Sequence, residues 1–181
     1  MTKQVAVLVG SASKSSFNHL AVKYLQKIAP SSLVLNIVEI GDLPLYDRDF
    51  DGMDIPAYTR VRQAVKASDA VIWVSPEHNG GYSAMLKNAI DVVSRNPEGS
   101  LWIGKPLGLM TVNASGSTKA IDALRVIASA PYINMPTLPF GASIGGIFAG
   151  AFDGHGELVS EPAKATLQGF MTAYADFVES F

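Results

Sequence analysis

Gln4-Val5-Ala6-Val7-Leu8-Val9-Gly10-Ser11-Ala12-Ser13-Lys14-Ser15-Ser16-Phe17-Asn18 opens with a short, almost unbroken apolar run, turns through a serine-rich stretch, and then changes period. An apolar, β-branched run without polar alternation is how a strand buried on both faces reads, and both faces are covered when helices lie above and below a parallel sheet. From Phe17 the apolar positions fall at Phe17, Leu20, Ala21, Tyr24, Leu25 and Ile28, the spacing of an amphipathic helix, and Pro30 ends the pattern.

Outward from this unit the same alternation continues. Residues 33–40 read as a second strand, followed by a polar, Gly/Asp/Pro-punctuated connection over 41–56 and a short helix marked by Val61 and Val65. Residues 70–75 read as a third strand, with a helix behind it carrying Leu86, Ala89, Ile90 and Val93 on one face. Residues 106–112 give a fourth strand and 118–130 a fourth helix, through Ile121, Leu124 and Ile127. The fifth strand is expected at 134–139 despite its two prolines. After a Gly-rich passage over 141–157, a last helix carries Leu167, Phe170, Met171, Tyr174, Phe177, Val178 and Phe181 on one face. A strand–helix unit repeated five times predicts an α/β fold with a parallel sheet, helices on both sides and right-handed crossovers. The expectation is one domain over residues 1–181, without repeat or linker.

Composition narrows the function. Hydrophobic residues at 48% and charged residues at 17% describe a chain that folds and buries much of itself. A net charge of −2 supplies no basic excess to release counterions from a nucleic acid or to meet an anionic membrane, so neither partner is expected. The absence of Cys excludes a disulfide scaffold, a thiolate zinc site, a cysteine-ligated iron–sulfur cluster and thiol nucleophilic catalysis. It also points to a reducing compartment, and the chain is expected to be cytoplasmic. No stretch approaches the roughly 18 apolar residues of a membrane span, and the opening run is too short for a signal peptide. His19, His78 and His155 lack ligand spacing, so no metal site is expected.

Ligands of open α/β sheets bind beyond the carboxyl ends of the strands, which directs attention to three loops. The first, Gly10 to Asn18, packs four serines, an Asn and a Lys between a buried strand and a helix start. Free N–H groups at a helix N-terminus, the positive end of its dipole and converging hydroxyls together suit a phosphate. The plainer alternative is a serine-rich turn with one N-cap at Ser15 or Ser16, although one cap needs one serine. A Walker A loop needs Gly where Ser13 stands, and a dinucleotide fingerprint needs Gly where Ala12 and Ser15 stand, so a mononucleotide monophosphate fits better.

The second loop, Ser75-Pro76-Glu77-His78-Asn79-Gly80-Gly81-Tyr82-Ser83, runs into Leu86-Lys87-Asn88-Ala89-Ile90-Asp91. With the first loop, these segments resemble the NAD(P)H-dependent FMN reductase family, the flavodoxin-like group that includes chromate, quinone and azo-compound reductases. That family carries a Gly-Ser-x-Arg-x-x-Ser-x-Asn loop after its first strand and a Pro-Glu-Tyr-Asn loop leading into a Leu-Lys-Asn-Ala-Ile-Asp helix. Element order and length match as well. Two residues depart from the pattern. Ser13 replaces the Arg, which removes one charge-assisted phosphate contact and leaves Lys14 as the neighbouring candidate; His78 replaces the Tyr and puts an imidazole near the expected ring.

The resemblance implies a flavodoxin-like three-layer αβα sandwich with a five-stranded parallel sheet and FMN as the cofactor. It implies that Ser11, Ser13, Lys14, Ser16, Phe17 and Asn18 hold the phosphate, and that backbone atoms of Pro76, Glu77, His78 and Asn79 lie against the isoalloxazine. Ser115, Gly116 and Ser117, in a third loop after the fourth strand, flank the other edge of the ring. No catalytic side chain is assigned, because the flavin carries the chemistry. The implied reaction is a ping-pong transfer of hydride from NADPH, or NADH, through FMN to a small-molecule electron acceptor. The alternative is a flavodoxin-like single-electron carrier without NAD(P)H activity of its own. A homodimer or homotetramer is expected, both from the family and from apolar surface anticipated at Trp102-Ile103 and on the last helix. For Glu77 the blander role is a carboxylate serving backbone N–H groups or a subunit contact. Lys87 with Asp91 and Asp91 with Arg95 are most simply helix-surface ion pairs.

Overall fold

The computed structural model describes residues 1–181. Its central strand is β1 (Lys3–Val9). Val5, Val7 and Val9 face one helical layer, Ala6 and Leu8 face the other, and all five are buried. Both faces of the pleat are interior, which is why the run carries no polar alternation. With β2 (Leu33–Val38), β3 (Ala70–Ser75), β4 (Leu107–Val112) and β5 (Ala142–Ile144) it forms a sheet in the order β2-β1-β3-β4-β5, every neighbouring pair parallel. Register places Lys3 opposite Leu33 on one side of β1 and Val5 opposite Ala70 on the other.

Two helices, α1 (Phe17–Ile28) and α5 (Glu161–Glu179), cover one face of the sheet; α2 (Pro56–Lys66), α3 (Ala84–Ser94) and α4 (Lys119–Ala128) cover the other. This is the flavodoxin-like three-layer sandwich. The chain leaves β1 toward β2 on one side and returns to β3 on the other, and that reversal of winding opens a crevice between the loops after β1 and β3.

The predicted fifth strand requires correction. Residues 134–139 form no strand; they run past the start of β4, joined to it by a single bridge between Leu107 and Thr137. Pro136 and Pro139 have no N–H to donate, so a ladder is not sustained there. The true β5 lies three residues further on, inside the passage read as a glycine-rich loop. Only three residues long, it carries too little apolar pattern to stand out.

The anticipated spare apolar surface is also largely spent. Trp102 is fully buried, edge-on to Trp73 with centroids 5.2 Å apart at 88°, and its Nε1–H donates to the Ile90 carbonyl at 3.0 Å. Leu167, Phe170, Met171, Tyr174 and Val178 of α5 are core residues, leaving Ile103 and Phe181 exposed. Of the two anticipated ion pairs, Lys87 and Asp91 meet at 2.6 Å, whereas the Arg95 guanidinium lies over the Tyr132 ring, 5.8 Å from its centroid. No helix is long and apolar enough to cross a membrane.

Candidate functional site

The loops after β1, β3 and β4 converge on a cleft of about 340 Å³. Ser11, Ser13, Ser16, Phe17, Asn18, Pro76, Glu77 and His78 line it; Lys14, Asn79, Ser115, Gly116 and Ser117 do not. A second cavity, also of about 340 Å³, lies beside α2 and the loop after α3. Its two cations are already engaged: Arg62 donates to the carbonyls of Val92 and Arg95, and Lys66 meets Glu98 at 3.0 Å. Donors without partners are found in the first cleft, at the strand ends.

There the loop after β1 begins at a forced glycine. A Cβ on Gly10 would stand 2.3 Å from Ser83 Oγ and 2.8 Å from Leu86 Cβ, so only glycine lets the end of β1 close against the start of α3. Ser16 caps α1, its hydroxyl accepting from the His19 N–H at 3.3 Å, and the first turn carries no acidic residue. The turn is held by the Ser16 N–H on the Ser13 carbonyl at 3.2 Å and by His19 Nε2 at 3.2 Å from the Ser11 carbonyl. The N–H groups of Ser11, Ala12, Ser13, Lys14, Ser15, Phe17 and Asn18 have no partner within the chain. They form a row of free donors at the positive end of a helix, with the Ser11, Ser13 and Ser15 hydroxyls beside them.

The Asn18 side chain is spent elsewhere than on a phosphate, while its backbone N–H stays free. Its side chain is buried and bonded to β4: Nδ2 donates to the Val112 carbonyl and Oδ1 accepts the Val112 N–H, both at 3.1 Å. It clamps α1 to the strand that forms the opposite wall. Lys14 is exposed and points no charge into the cleft.

The loop after β3 is a miniature hairpin. His78 N–H donates to the Gly81 carbonyl at 2.9 Å and Gly81 N–H to the His78 carbonyl at 3.0 Å, around Asn79 and Gly80 at φ 53° and 77°. An Asn-Gly pair supplies that left-handed backbone, so Asn79 sets the shape of the loop from outside the cleft. Ser75 Oγ accepts from the Ser83 N–H at 2.9 Å, and Ser83 caps α3. Glu77 projects a carboxylate that makes no hydrogen bond, and its Oε2 is buried without a partner.

The loop after β4 curls inward on Asn113, whose Oδ1 accepts the N–H groups of Ser115, Gly116 and Ser117 at 3.1, 2.7 and 3.2 Å. Those donors are spent, and Asn113 and Ala114 line the cleft instead. Sequence reasoning also left Ser15, Val112, Ile147 and Phe148 out of the lining. Phe148 is 84% exposed and stands edge-on to Phe17, centroids 6.4 Å apart. An apolar pair inside a glycine-rich stretch was the available signal.

The donor set fits the group that the resemblance implies. A phosphate monoester matches a row of unpaired N–H groups with hydroxyls around them, and the volume lies in the range of about 300–1,000 Å³ typical of small-ligand sites. The unpaired Glu77 oxygen calls for a hydrogen-bond donor, which FMN carries.

The chain is similar to known proteins. Residues 4–148 match the family described as NADPH-dependent FMN reductase. A quinone reductase of Pseudomonas putida is 42% identical, covering 97% of this chain and 94% of its own. A 2-hydroxy-1,4-benzoquinone reductase of a Burkholderia species is 35% identical, covering 98% and 97%. Among solved structures, the flavoenzyme NAD(P)H:(acceptor) oxidoreductase FerB of Paracoccus denitrificans superimposes with a TM-score of 0.85 at 32% identity, covering 99% of this chain and 98% of its own.

Proposed function

The chain belongs to the NADPH-dependent FMN reductase family, and on that footing we propose that it passes electrons from NADPH to a quinone, the two substrates using one cleft in turn. It is an NAD(P)H-dependent oxidoreductase with FMN as its cofactor. When bound, FMN supplies a ring able to take up a hydride and release the electrons to an acceptor. The chain's own residues bind and orient. Free N–H groups at the start of α1, with Ser11, Ser13 and Ser16 around them, hold the phosphate, and the Pro76 to His78 backbone supports the ring. The observation that carries this reading is the row of unpartnered donors at the start of α1, opening on a cleft at the winding reversal of the sheet.

Quinone is favoured as the acceptor because similar proteins are quinone reductases. Ping-pong order follows from the two substrates sharing one open cleft: the nicotinamide, oxidised once its hydride is given up, must leave before the acceptor enters. The proposal includes one FMN-binding domain over residues 1–181, a homodimer or homotetramer, and work in the cytoplasm. Steady-state oxidation of NADPH by the purified, FMN-loaded protein against a panel of quinones, azo compounds, chromate and free flavin tests it. Parallel double-reciprocal lines with a quinone as the best acceptor are expected. No NADPH oxidation without a separate reductase would instead identify a single-electron carrier.

A further inference from the structure

A row of free N–H groups binds a phosphate best when it is in place beforehand, because any ordering left to the ligand is subtracted from its affinity. The loop after β1 has few ties that could supply that order. From Ser11 to Ser15 the backbone makes two hydrogen bonds to the rest of the chain: the Ser13 carbonyl accepts the Ser16 N–H and the Ser11 carbonyl accepts from the His19 ring, each at 3.2 Å. The first closes a turn within the loop. The second joins the stretch between Gly10 and Ser13 to a rigid element, since His19 stands in the first turn of α1 and is half-buried there.

A carbonyl accepts and does not donate, so the proton of that bond belongs to His19 Nε2. The peptide unit is planar and trans, and fixing the Ser11 C=O therefore fixes the direction of the Ala12 N–H on its far side, one of the donors without a partner. Order of this kind weighs more in this chain than charge does. Ser13 is neutral where the family pattern has Arg, and Lys14 is exposed and outside the cleft lining. His19 itself lies one residue beyond that pattern, which ends at Asn18. We infer that His19 is a positioning residue for FMN, its Nε2–H holding the Ser11–Ala12 peptide so that the backbone donors of the loop are preset for the phosphate; this rests on FMN occupying the cleft with its phosphate at the start of α1.

Full-length apoprotein of the wild type, His19→Ala and His19→Gln is titrated by flavin fluorescence with FMN and with riboflavin, which has the ring and the ribityl chain but no phosphate. The thermal midpoint of each apoprotein is read in parallel. His19→Ala is expected to weaken FMN about three- to tenfold, the worth of one hydrogen bond. His19→Gln is expected to recover most of that loss, because its amide N–H reaches nearly as far as Nε2. Riboflavin is expected to bind His19→Ala as it binds the wild type, and the three apoproteins to melt alike, since a loop that loosens locally leaves the core packed. Should riboflavin bind none of the three, the phosphate carries the affinity and the FMN series decides alone. FMN binding unchanged in His19→Ala, an equal loss in His19→Gln, or an equal loss with riboflavin would overturn the inference. A markedly lower midpoint for the His19→Ala apoprotein would also overturn it, assigning the ring to the fold. A wild-type apoprotein that binds no FMN would overturn the cofactor reading, and this inference with it.

Discussion

Replacing Asn18 by Ala separates a clamp from a cofactor ligand. Both Asn18 bonds to Val112 are 3.1 Å long, and Val112 is 1% exposed. If water reached the freed N–H and C=O, the loss would be about 0.5–1.5 kcal/mol per bond; if both stayed dry, each would cost about 1–3 kcal/mol. The vacated space adjoins the cleft, so partial rehydration is expected and the loss should be about 2–4 kcal/mol. For a chain of this size that is a fall of roughly 4–16 °C in Tm. Thermal and urea unfolding of the apoprotein measure it with no flavin present. Asn18→Asp sharpens the reading: it keeps one acceptor but sets a carboxylate oxygen against the Val112 carbonyl, so it should be less stable than Asn18→Ala at neutral pH and regain stability on acidification. An Asn18→Ala apoprotein within about 0.5 kcal/mol of the wild type, the scale of an ordinary surface substitution, would refute the clamp.

Other substitutions test neighbouring parts of the argument. Gly10→Ala drives a Cβ into Ser83 and Leu86 and should lower urea-unfolding stability by about 1–3 kcal/mol and weaken FMN as well. Ser13→Arg restores the family's guanidinium and should tighten FMN about tenfold at low salt, an advantage that shrinks toward 1 M salt, whereas Lys14→Ala should change affinity less than about twofold. Burial pushes the Tyr174 hydroxyl well above the usual tyrosine range while it donates to the Val71 carbonyl at 2.9 Å. A raised folded pKa leaves this contribution intact below about pH 10, where unfolded tyrosine titrates, and removes it as pH climbs further. Urea midpoints should therefore fall above pH 10 more steeply in the wild type than in Tyr174→Phe; parallel curves would contradict this.

Much of the fold was legible because burial on both faces leaves a simple trace. Val5 to Val9 and Ala70 to Ser75 read as strands because neither has a solvent face, and α1 was bounded by its apolar spacing and Pro30, with the cap open between Ser15 and Ser16 until the structure placed it at Ser16. β5 was not legible: three residues carry no period, and the proline-bearing stretch before it imitates a strand by composition. At the site, sequence shows which residues gather near a strand end but not where each hydrogen bond is spent. Asn18 and Asn113 are chemically apt to hold a ligand, yet each is consumed by backbone, a fact that exists only once β4 lies beside α1. The turn at Asn79-Gly80 was not drawn from the sequence, although an Asn-Gly pair favours that backbone. Nor was the isolation of Glu77 Oε2, because an unmet bond depends on everything around it.

A crystal structure of the protein reconstituted with FMN tests the assignment of this cleft most directly. The phosphate is predicted on the N–H groups of Phe17 and Asn18 with the Ser11 and Ser13 hydroxyls beside it, and the ring against Pro76 to His78. A flavin seated elsewhere, for instance in the cavity bordered by Arg62 and Lys66, would contradict it.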